Sequence, residues 1–219
     1  MNLPEPDLTG DPSYINVDGQ IIKVVMQLKY PRVVLFDNFL SYEECYELIE
    51  GAQHRIAPST VMDNETGKPV PHPHRTNTGS YYLKGETPLV ERLETRVSKL
   101  LNWPVSHGEP FQVFHYEYEQ EFRPHFDYFD PSISGSKVHL EKGGQRLATF
   151  ILYLCTPENG GTTIFPDAND LAIHPQAGSA LFFSYDKPDK STSTLHGGAP
   201  VLKGEKWIAT KWLRESVYT

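Results

Sequence analysis

The sequence predicts a mainly β protein of the α+β class, in which two sheets form a jelly-roll barrel and helices pack on one of them. Two observations support this fold class. Amphipathic helical patterns lie in the first 101 residues, whereas short runs of aromatic and β-branched residues predominate from residue 110 onward. Clusters of Gly, Pro, Asn and Asp separate those runs, as they do between strands. Helices followed by strands favour a helical layer outside an antiparallel barrel.

The 219 residues fit one domain preceded by a short arm. Residues 1–20 are polar and contain several Pro, Asp and Gly residues, so we expect an N-terminal arm that is only partly ordered. We expect residues 21–219 to form a single domain, since barrels and sandwiches of ~200–250 residues are common as one unit. Strands are predicted at residues 21–25 and 31–36, where apolar and β-branched residues predominate.

Two helices are predicted from their start signals. Ser41 with Glu44 three residues later is a capping box, and Thr87 followed by Pro88 provides an N-cap and a proline at the first helical position. After each start, apolar residues recur at the spacing of one helix face. These residues are Cys45, Leu48, Ile49 and Ala52 in the first helix, and Leu89, Leu93, Val97, Leu100 and Leu101 in the second.

The region between the helices, residues 62–78, is rich in proline and polar residues, which predicts a long loop. Such a loop in a compact domain is often functional. His72 and His74 lie in this loop, and we expect both to be exposed to solvent rather than to bind a metal. Further along the chain, strands are predicted at residues 111–116, 147–154, 180–183 and 207–212.

Composition and charge narrow the class of partner. A formal charge of −8 and a pI near 5.6 argue against nucleic acid as the main partner. No stretch approaches the ~18 consecutive apolar residues of a membrane span, and the N-terminus lacks the basic start and apolar core of a secretory signal. We therefore expect a cytoplasmic protein with no membrane or nucleic-acid partner. Cys45 and Cys155 are expected to be small buried residues rather than a disulfide.

The most informative motif is His125-Phe126-Asp127. Residues at i and i+2 of a strand project from the same face. An imidazole and a carboxylate on one face, joined by His196 from a distant strand, form a facial triad that binds Fe(II) and leaves coordination positions open for oxygen chemistry. His-x-Asp alone is a weak signal, but the small residues Gly197 and Gly198 after His196 leave room beside a metal.

Ten positions after His196, Lys206 enters an aromatic strand. A lysine in such a place is often exposed or extends its ammonium to the surface. If Lys206 is functional, its ammonium group is suited to bind one carboxylate of a dicarboxylate ligand.

Further short motifs accompany these residues from about residue 33 to residue 214. They are Arg75-Thr76-Asn77-Thr78-Gly79, Gln112-Val113 with Tyr116, Gly143-Gly144-Gln145-Arg146, Tyr153-Leu154, Gly160-Gly161-Thr162-Thr163 and Leu195-His196-Gly197-Gly198-Ala199-Pro200-Val201. Taken together, the chain resembles the Fe(II)/2-oxoglutarate-dependent oxygenases, and more narrowly their prolyl 4-hydroxylase branch. Two positions depart from that pattern, because Tyr116 is followed by glutamate rather than the frequent glycine and Asn77 stands where serine is usual.

The resemblance implies a double-stranded β-helix with a catalytic iron site. The residues implied to bind iron are His125, Asp127 and His196. The residues implied to bind the co-substrate 2-oxoglutarate are Lys206, Tyr116 and Thr163, although Tyr and Thr also fill strands without any such role. The implied reaction consumes O2, uses L-ascorbate as reductant, and converts 2-oxoglutarate to succinate and CO2. The bound oxidant then hydroxylates an unactivated carbon, while the protein orients the substrate and shields the reaction.

The implied substrate is a peptidyl proline hydroxylated at C4, with Arg146, Tyr81 and Trp212 as groove residues. Residues 62–82 and 130–144 are the implied substrate-contacting segments. An aromatic groove suits extended proline-rich peptides. Two alternatives stay open. Free proline, another amino acid or a protein side chain would be the substrate if Arg146 held a substrate carboxylate. A metal-binding module without turnover would not need Lys206. Small relatives further suggest a homodimer formed through the helical part.

Overall fold

The structure, a computed structural model, describes residues 3–219 and consists mainly of antiparallel strands. The strands are β1 (Tyr14–Val17), β2 (Gln20–Leu28), β3 (Arg32–Asp37), β4 (Ala57–Pro58), β5 (Thr60–Met62), β6 (Pro69–Pro71), β7 (Thr78–Tyr82), β8 (Phe111–Tyr116), β9 (Phe122–His125), β10 (Arg146–Tyr153), β11 (Asn159–Gly160), β12 (Thr163–Phe165), β13 (Leu171–Ile173), β14 (Ala180–Ser184), β15 (His196–Gly198), β16 (Val201–Lys203) and β17 (Lys206–Arg214). The helices are α1 (Tyr42–Gln53), α2 (Pro88–Leu100) and the short α3 (Lys137–Leu140).

Two sheets form the barrel. The major sheet has nine strands in the order β1-β2-β3-β14-β10-β17-β8-β7-β4, and the minor sheet has four in the order β13-β12-β15-β9. Two-stranded pairs β5-β6 and β11-β16 flank them. This arrangement confirms the predicted jelly-roll, or double-stranded β-helix, of a mainly β α+β protein.

The side chains of the central strands alternate between the two faces of the major sheet, and each face contributes to a separate hydrophobic core. On β10, Phe150 and Leu152 pack into a core shared with α1 and α2, whereas Ile151 and Tyr153 pack into the barrel interior. Successive side chains of a strand point to opposite faces, so a strand covered on both faces is apolar throughout. The helices therefore lie on one face of the major sheet, as predicted, and the other face is left to line the barrel.

Both predicted helix starts are present. The backbone N–H of Glu44 donates to Ser41 Oγ at 3.2 Å, and the Ser41 N–H donates to the Glu44 side chain at 3.1 Å, which completes the capping box. Thr87 caps α2 through Val90, and Pro88 is its first residue. Among residues 3–219, no helix is both long and apolar enough to cross a bilayer.

The predicted arm over residues 1–20 is wrong in its extent. Strand β1 pairs with β2 at the edge of the major sheet, and Val17 is buried in the core beside the helices. Asp18 and Gly19 connect the two strands with positive φ angles of 53° and 90°, the conformation that a tight hairpin needs. The sheet thus begins at Tyr14 rather than at residue 21. Residues 1 and 2 of the predicted arm lie outside the described residues.

The predicted loop over residues 62–78 is also more ordered than expected. Strands β5 and β6 form a small hairpin whose tip packs on residues 134–139. The Gly135 N–H donates to the Asn64 carbonyl at 2.9 Å, and His139 Nε2 lies 2.9 Å from the Gly67 carbonyl. The two segments expected to contact substrate therefore contact each other.

Candidate active site

The cavity between the two sheets brings most of the predicted site residues together. It is lined by Arg75, Phe114, Tyr116, Phe122, His125, Asp127, Thr149, Ile151, Thr163, His196, Gly197, Gly198, Lys206, Ile208, Thr210 and Trp212. Of the nine residues singled out from the sequence, only Tyr81 and Arg146 are absent from this lining. One face of the major sheet and the facing ends of β9, β12 and β15 supply the side chains.

Strand pairing places the two histidines side by side. His125 ends β9, His196 begins β15, and the two residues are directly opposite each other in the register of the minor sheet. Asp127 follows β9 by two residues, so its carboxylate turns toward both rings. Its oxygens lie 3.4 Å from His125 Nε2 and 3.4 Å from His196 Nε2. The three potential ligand atoms all lie within 4.8 Å of one another.

The protonation pattern of the triad fits a cation. Nδ1 of His125 lies 3.0 Å from the carbonyl of Arg123, and Nδ1 of His196 lies 3.0 Å from the carbonyl of Thr194. A carbonyl only accepts, so Nδ1 carries a proton in each ring and Nε2 is directed at the Asp127 carboxylate. Both Nε2 atoms are thus placed to bind a metal ion together with that carboxylate, and backbone carbonyls are common partners of metal-binding imidazoles.

The charge states suit metal binding at neutral pH. Burial lowers the pKa of His196 to about 4, so this ring is neutral and can offer a lone pair. Burial alone would raise the pKa of the Asp127 carboxyl, but the neighbouring histidines and the Arg146 guanidinium hold that pKa below its usual value. An ionised carboxylate together with imidazole nitrogens forms an N/O donor set that suits Fe(II).

Lys206 is buried on the barrel face of β17 with only 1% of its surface exposed. It lies opposite Tyr116 in the register of β8 and β17, and its Nζ is 5.2 Å from the Tyr116 ring centre. Among the ion pairs of residues 3–219, none involves Lys206. Burial lowers the pKa of Lys206 to about 7. A buried ammonium without an acidic partner is costly, and an anionic ligand would offset that cost.

Thr163 faces the same end of the cavity. The Tyr153 hydroxyl donates to Thr163 Oγ1 at 2.8 Å in the barrel core. Because Thr163 accepts this bond, its own hydroxyl hydrogen is free to donate to a ligand oxygen. Lys206, Tyr116 and Thr163 thus present three donors to one region, which fits one carboxylate of 2-oxoglutarate.

The three predicted groove residues differ in their surroundings. Trp212 lines the cavity, and its indole Nε1 is buried without a hydrogen-bond partner. Arg146 stacks on the Trp212 ring at 3.9 Å, but its guanidinium binds the Glu109 carboxylate at 2.6 and 2.9 Å. Tyr81 lies on the barrel side of β7, opposite Gln112 of β8, and its side chain is 57% exposed. Arg146 is therefore already paired with Glu109, which argues against the alternative in which it holds the carboxylate of a free amino acid.

Arg75 is a cavity residue whose role the sequence did not reveal. Its guanidinium lies between the rings of Phe114 and Phe122, at 4.6 and 4.4 Å from their centres, and donates to the Thr60 carbonyl at 2.9 Å. The signal was its place in the Arg75-Thr76-Asn77 motif, but only the fold shows that the guanidinium reaches the cavity.

Comparisons with known proteins agree with this geometry. Residues 111–214 match the model of the 2OG-Fe(II) oxygenase superfamily. The chain is similar to probable prolyl 4-hydroxylase 3 of Arabidopsis thaliana, with 38% identity over 208 residues that cover 86% of this chain and 71% of that protein. It is also similar to the viral collagen prolyl hydroxylase of Paramecium bursaria Chlorella virus-1 in its 2OG complex, with 29% identity, a TM-score of 0.63, and coverage of 83% of this chain and 95% of that one. A Trichoplax adhaerens prolyl hydroxylase in complex with a hypoxia inducible factor peptide fragment shares the fold, at 16% identity, a TM-score of 0.54, and coverage of 84% of this chain and 83% of that one.

Proposed function

Because the chain belongs to the prolyl 4-hydroxylases of the 2OG-Fe(II) oxygenase superfamily, we propose that its cavity hydroxylates proline within extended peptides. The protein is a dioxygenase that uses Fe(II), 2-oxoglutarate and O2 to hydroxylate proline. Bound iron with 2-oxoglutarate and O2 supplies an oxidant for an unactivated C–H bond, with succinate and CO2 as co-products. The observation that carries the proposal is the coexistence of three facing metal ligands with an unpaired buried lysine in one cavity.

Different residues of the chain would bind the iron and the co-substrate. His125, Asp127 and His196 would hold the iron. Lys206 would bind the distal carboxylate of 2-oxoglutarate, with donors from Tyr116 and Thr163. The cavity walls exclude water from the reacting atoms, which protects the oxidant and orients the co-substrate.

Two observations favour a peptide rather than free proline as the substrate. The Trp212 indole N–H lacks an acceptor, and a peptide carbonyl would supply one. Arg146, the cation considered for a free amino acid's carboxylate, is bound by Glu109 instead. The aromatic surface of Trp212 and Tyr81 on one sheet face suits an extended proline-containing chain.

The proposed activity is tested with end-blocked proline-rich peptides, iron, 2-oxoglutarate and ascorbate, with free proline in parallel. We expect a +16 Da peptide product, stoichiometric succinate and no product from free proline. Asp127→Ala and His196→Ala should abolish both readouts. Turnover of free proline alone would support the amino-acid hydroxylase instead, and absence of any succinate would support the binding module.

The contact to the peptide is tested by Trp212→Phe, which keeps an aromatic ring and removes the N–H. We expect the KM for peptide to rise about 2–10-fold, the usual range for one neutral hydrogen bond, with the KM for 2-oxoglutarate unchanged. Trp103→Phe is the matched control, because the Trp103 indole donates at 2.9 Å to the Arg214 carbonyl outside the cavity lining. Equal effects of both substitutions would argue against the peptide contact.

We further propose a cytoplasmic location and a homodimer formed through the helical part. The location is supported by the sequence features described above, and the homodimer by the resemblance to small relatives. Cell fractionation tests the location, and light scattering during gel filtration tests the dimer.

A further inference from the structure

Asp127 is held from the major sheet by a hydrogen bond that crosses the barrel. Thr149, on the central strand β10, lies with its Oγ1 2.7 Å from Asp127 Oδ2. The hydroxyl of Tyr185, just after β14, lies 3.1 Å from the same Thr149 oxygen. All three residues are buried, with exposed fractions of 6%, 0% and 2% for Asp127, Thr149 and Tyr185.

The chemistry of the groups fixes the direction of both bonds. An ionised carboxylate only accepts, so the single hydroxyl hydrogen of Thr149 is donated to Asp127. Thr149 Oγ1 then has only lone pairs left for Tyr185, and the phenol must donate to it. The two bonds therefore form a directed chain from Tyr185 through Thr149 to the Asp127 carboxylate. Charge-assisted O–H···O⁻ bonds are stronger and shorter than neutral ones, in keeping with the 2.7 Å contact.

The chain also explains how a residue outside any strand keeps its orientation. Asp127 follows β9 without being part of the minor sheet's ladder, so strand pairing fixes the two histidines but not the carboxylate. Thr149 is opposite Phe183 and Trp212 on the central strand of the major sheet, which is paired on both sides. A hydroxyl anchored there can hold Asp127 Oδ2 and thereby turn Oδ1 toward His125, 3.4 Å away.

We propose that Thr149 and Tyr185 are positioning residues that fix the Asp127 carboxylate for metal binding. The hydroxyl of Thr149 occupies a lone pair of Oδ2 and limits rotation of the carboxylate, and Tyr185 fixes the rotamer of that hydroxyl. Partners of metal ligands typically change metal affinity by about 10–100-fold when they are removed. This inference rests on the proposed function only in assigning a metal ion to the triad.

The test measures metal binding directly. Chelator-treated protein is titrated with Co(II), and both the dissociation constant and the visible absorption of the bound ion are recorded. Thr149→Val keeps the side-chain shape and removes the hydroxyl, so we expect the dissociation constant to rise about 10–100-fold with an altered spectrum. Thr149→Ser keeps the hydroxyl, and we expect it to restore the affinity to within about threefold of the parent. Tyr185→Phe should have a smaller effect, about 2–10-fold, because Thr149 still donates to Asp127.

Thr210→Val is the matched control, since Thr210 lines the same cavity and makes no contact with Asp127 among the described hydrogen bonds. We expect its Co(II) affinity and spectrum to equal those of the parent. Thermal melts of every variant show which ones are folded, and if Thr149→Val does not fold, Thr149→Ser and Tyr185→Phe still carry the test. Parent-like Co(II) binding by Thr149→Val would overturn the proposal; if that variant does not fold, parent-like binding by Tyr185→Phe would do so. Failure of Thr149→Ser to restore the affinity, or an equal loss of affinity in Thr210→Val, would also overturn it. A parent protein that binds no Co(II) would overturn the metal assignment itself.

Discussion

Replacing Lys206 by methionine should stabilise the ligand-free protein and at the same time abolish its binding of 2-oxoglutarate. The ammonium of Lys206 is buried in the barrel and makes no ion pair with any of the described residues. Methionine has a similar length and no charge, so it fills the same space without the cost of burying an unpaired cation.

The magnitude follows from the lowered pKa. Burial takes the pKa of Lys206 from 10.5 to about 7, and each pH unit corresponds to about 1.36 kcal/mol. The charged lysine therefore lowers the free energy of unfolding by roughly 4 kcal/mol at neutral pH. Some of this gain is lost through imperfect packing of methionine, so we expect a net stabilisation of about 2–4 kcal/mol, or roughly 5–15 °C in Tm.

The pH dependence of the free energy of unfolding gives a second test of this prediction. The unfolded lysine binds a proton up to about pH 10.5, whereas the folded one releases it above about pH 7. Stability of the parent therefore rises with pH between these values. The advantage of Lys206→Met should be full below pH 7 and should shrink steadily as the pH approaches 10.5.

The assay is denaturant unfolding of chelator-treated protein between pH 6 and pH 9.5, with and without 2-oxoglutarate. Lys211→Met is the matched control, because Lys211 is equally buried on the same strand but binds the Glu94 carboxylate at 2.7 Å. Its replacement leaves a buried carboxylate unpaired and should destabilise the protein by about 3–5 kcal/mol. The reasoning is refuted if Lys206→Met is no more stable than the parent, if its advantage does not vary with pH, or if 2-oxoglutarate still stabilises it.

Three further predictions concern the same cavity and its rim. The KM for 2-oxoglutarate should be constant below about pH 7 and rise up to tenfold per pH unit above it, because binding then requires Lys206 to take up a proton; a KM that falls with rising pH would contradict this. Tyr153→Phe removes the donor to Thr163, and the KM for 2-oxoglutarate should rise about 2–10-fold in steady-state assays. Gly135→Ala would place a methyl 2.6 Å from the Asp63 carbonyl and 2.7 Å from the Gly67 nitrogen. At a cost of about 1–3 kcal/mol for such overpacking, the β5-β6 hairpin should separate from residues 134–139, with faster proteolysis of the hairpin and a higher KM for peptide but not for 2-oxoglutarate.

Elements whose signals are local could be predicted from the sequence. Helix α1 starts at the capping box of Ser41 and Glu44 because the bonds that fix a helix start join residues three apart. The sequence does not predict strand β1 because its four residues, two polar and two apolar, are too few to show a clear alternation, although Asp18-Gly19 is a strong hairpin signal. The sequence does not predict the β5-β6 hairpin because each strand has only three residues and β6 is Pro69-Val70-Pro71, and because the hairpin packs on residues 134–139, which are distant in the chain.

The site also contains some contacts that can be predicted from nearby residues in the sequence and others that depend on the fold. His125 and Asp127 are two residues apart, so their convergence could be read from the strand period. The partners of Arg146 could not, because Glu109 is 37 residues away in the chain and meets it only through the pairing of distant strands. The bond from Thr149 to Asp127 is likewise a product of the fold, since it joins the two sheets across the barrel.

Strand β17 shows how one element serves both stability and ligand binding. Lys211 faces the helices and finds its carboxylate, Glu94, inside the protein. Lys206 and Trp212 face the barrel, where the ammonium has no carboxylate among the described residues and the indole N–H has no acceptor. Most buried polar groups in folded proteins are paired, so two unpaired groups that line one cavity are well placed to bind ligands. The two-residue period of the strand therefore separates a lysine that stabilises the fold, Lys211, from two polar side chains that face the cavity, Lys206 and Trp212, which we propose bind the co-substrate and a peptide.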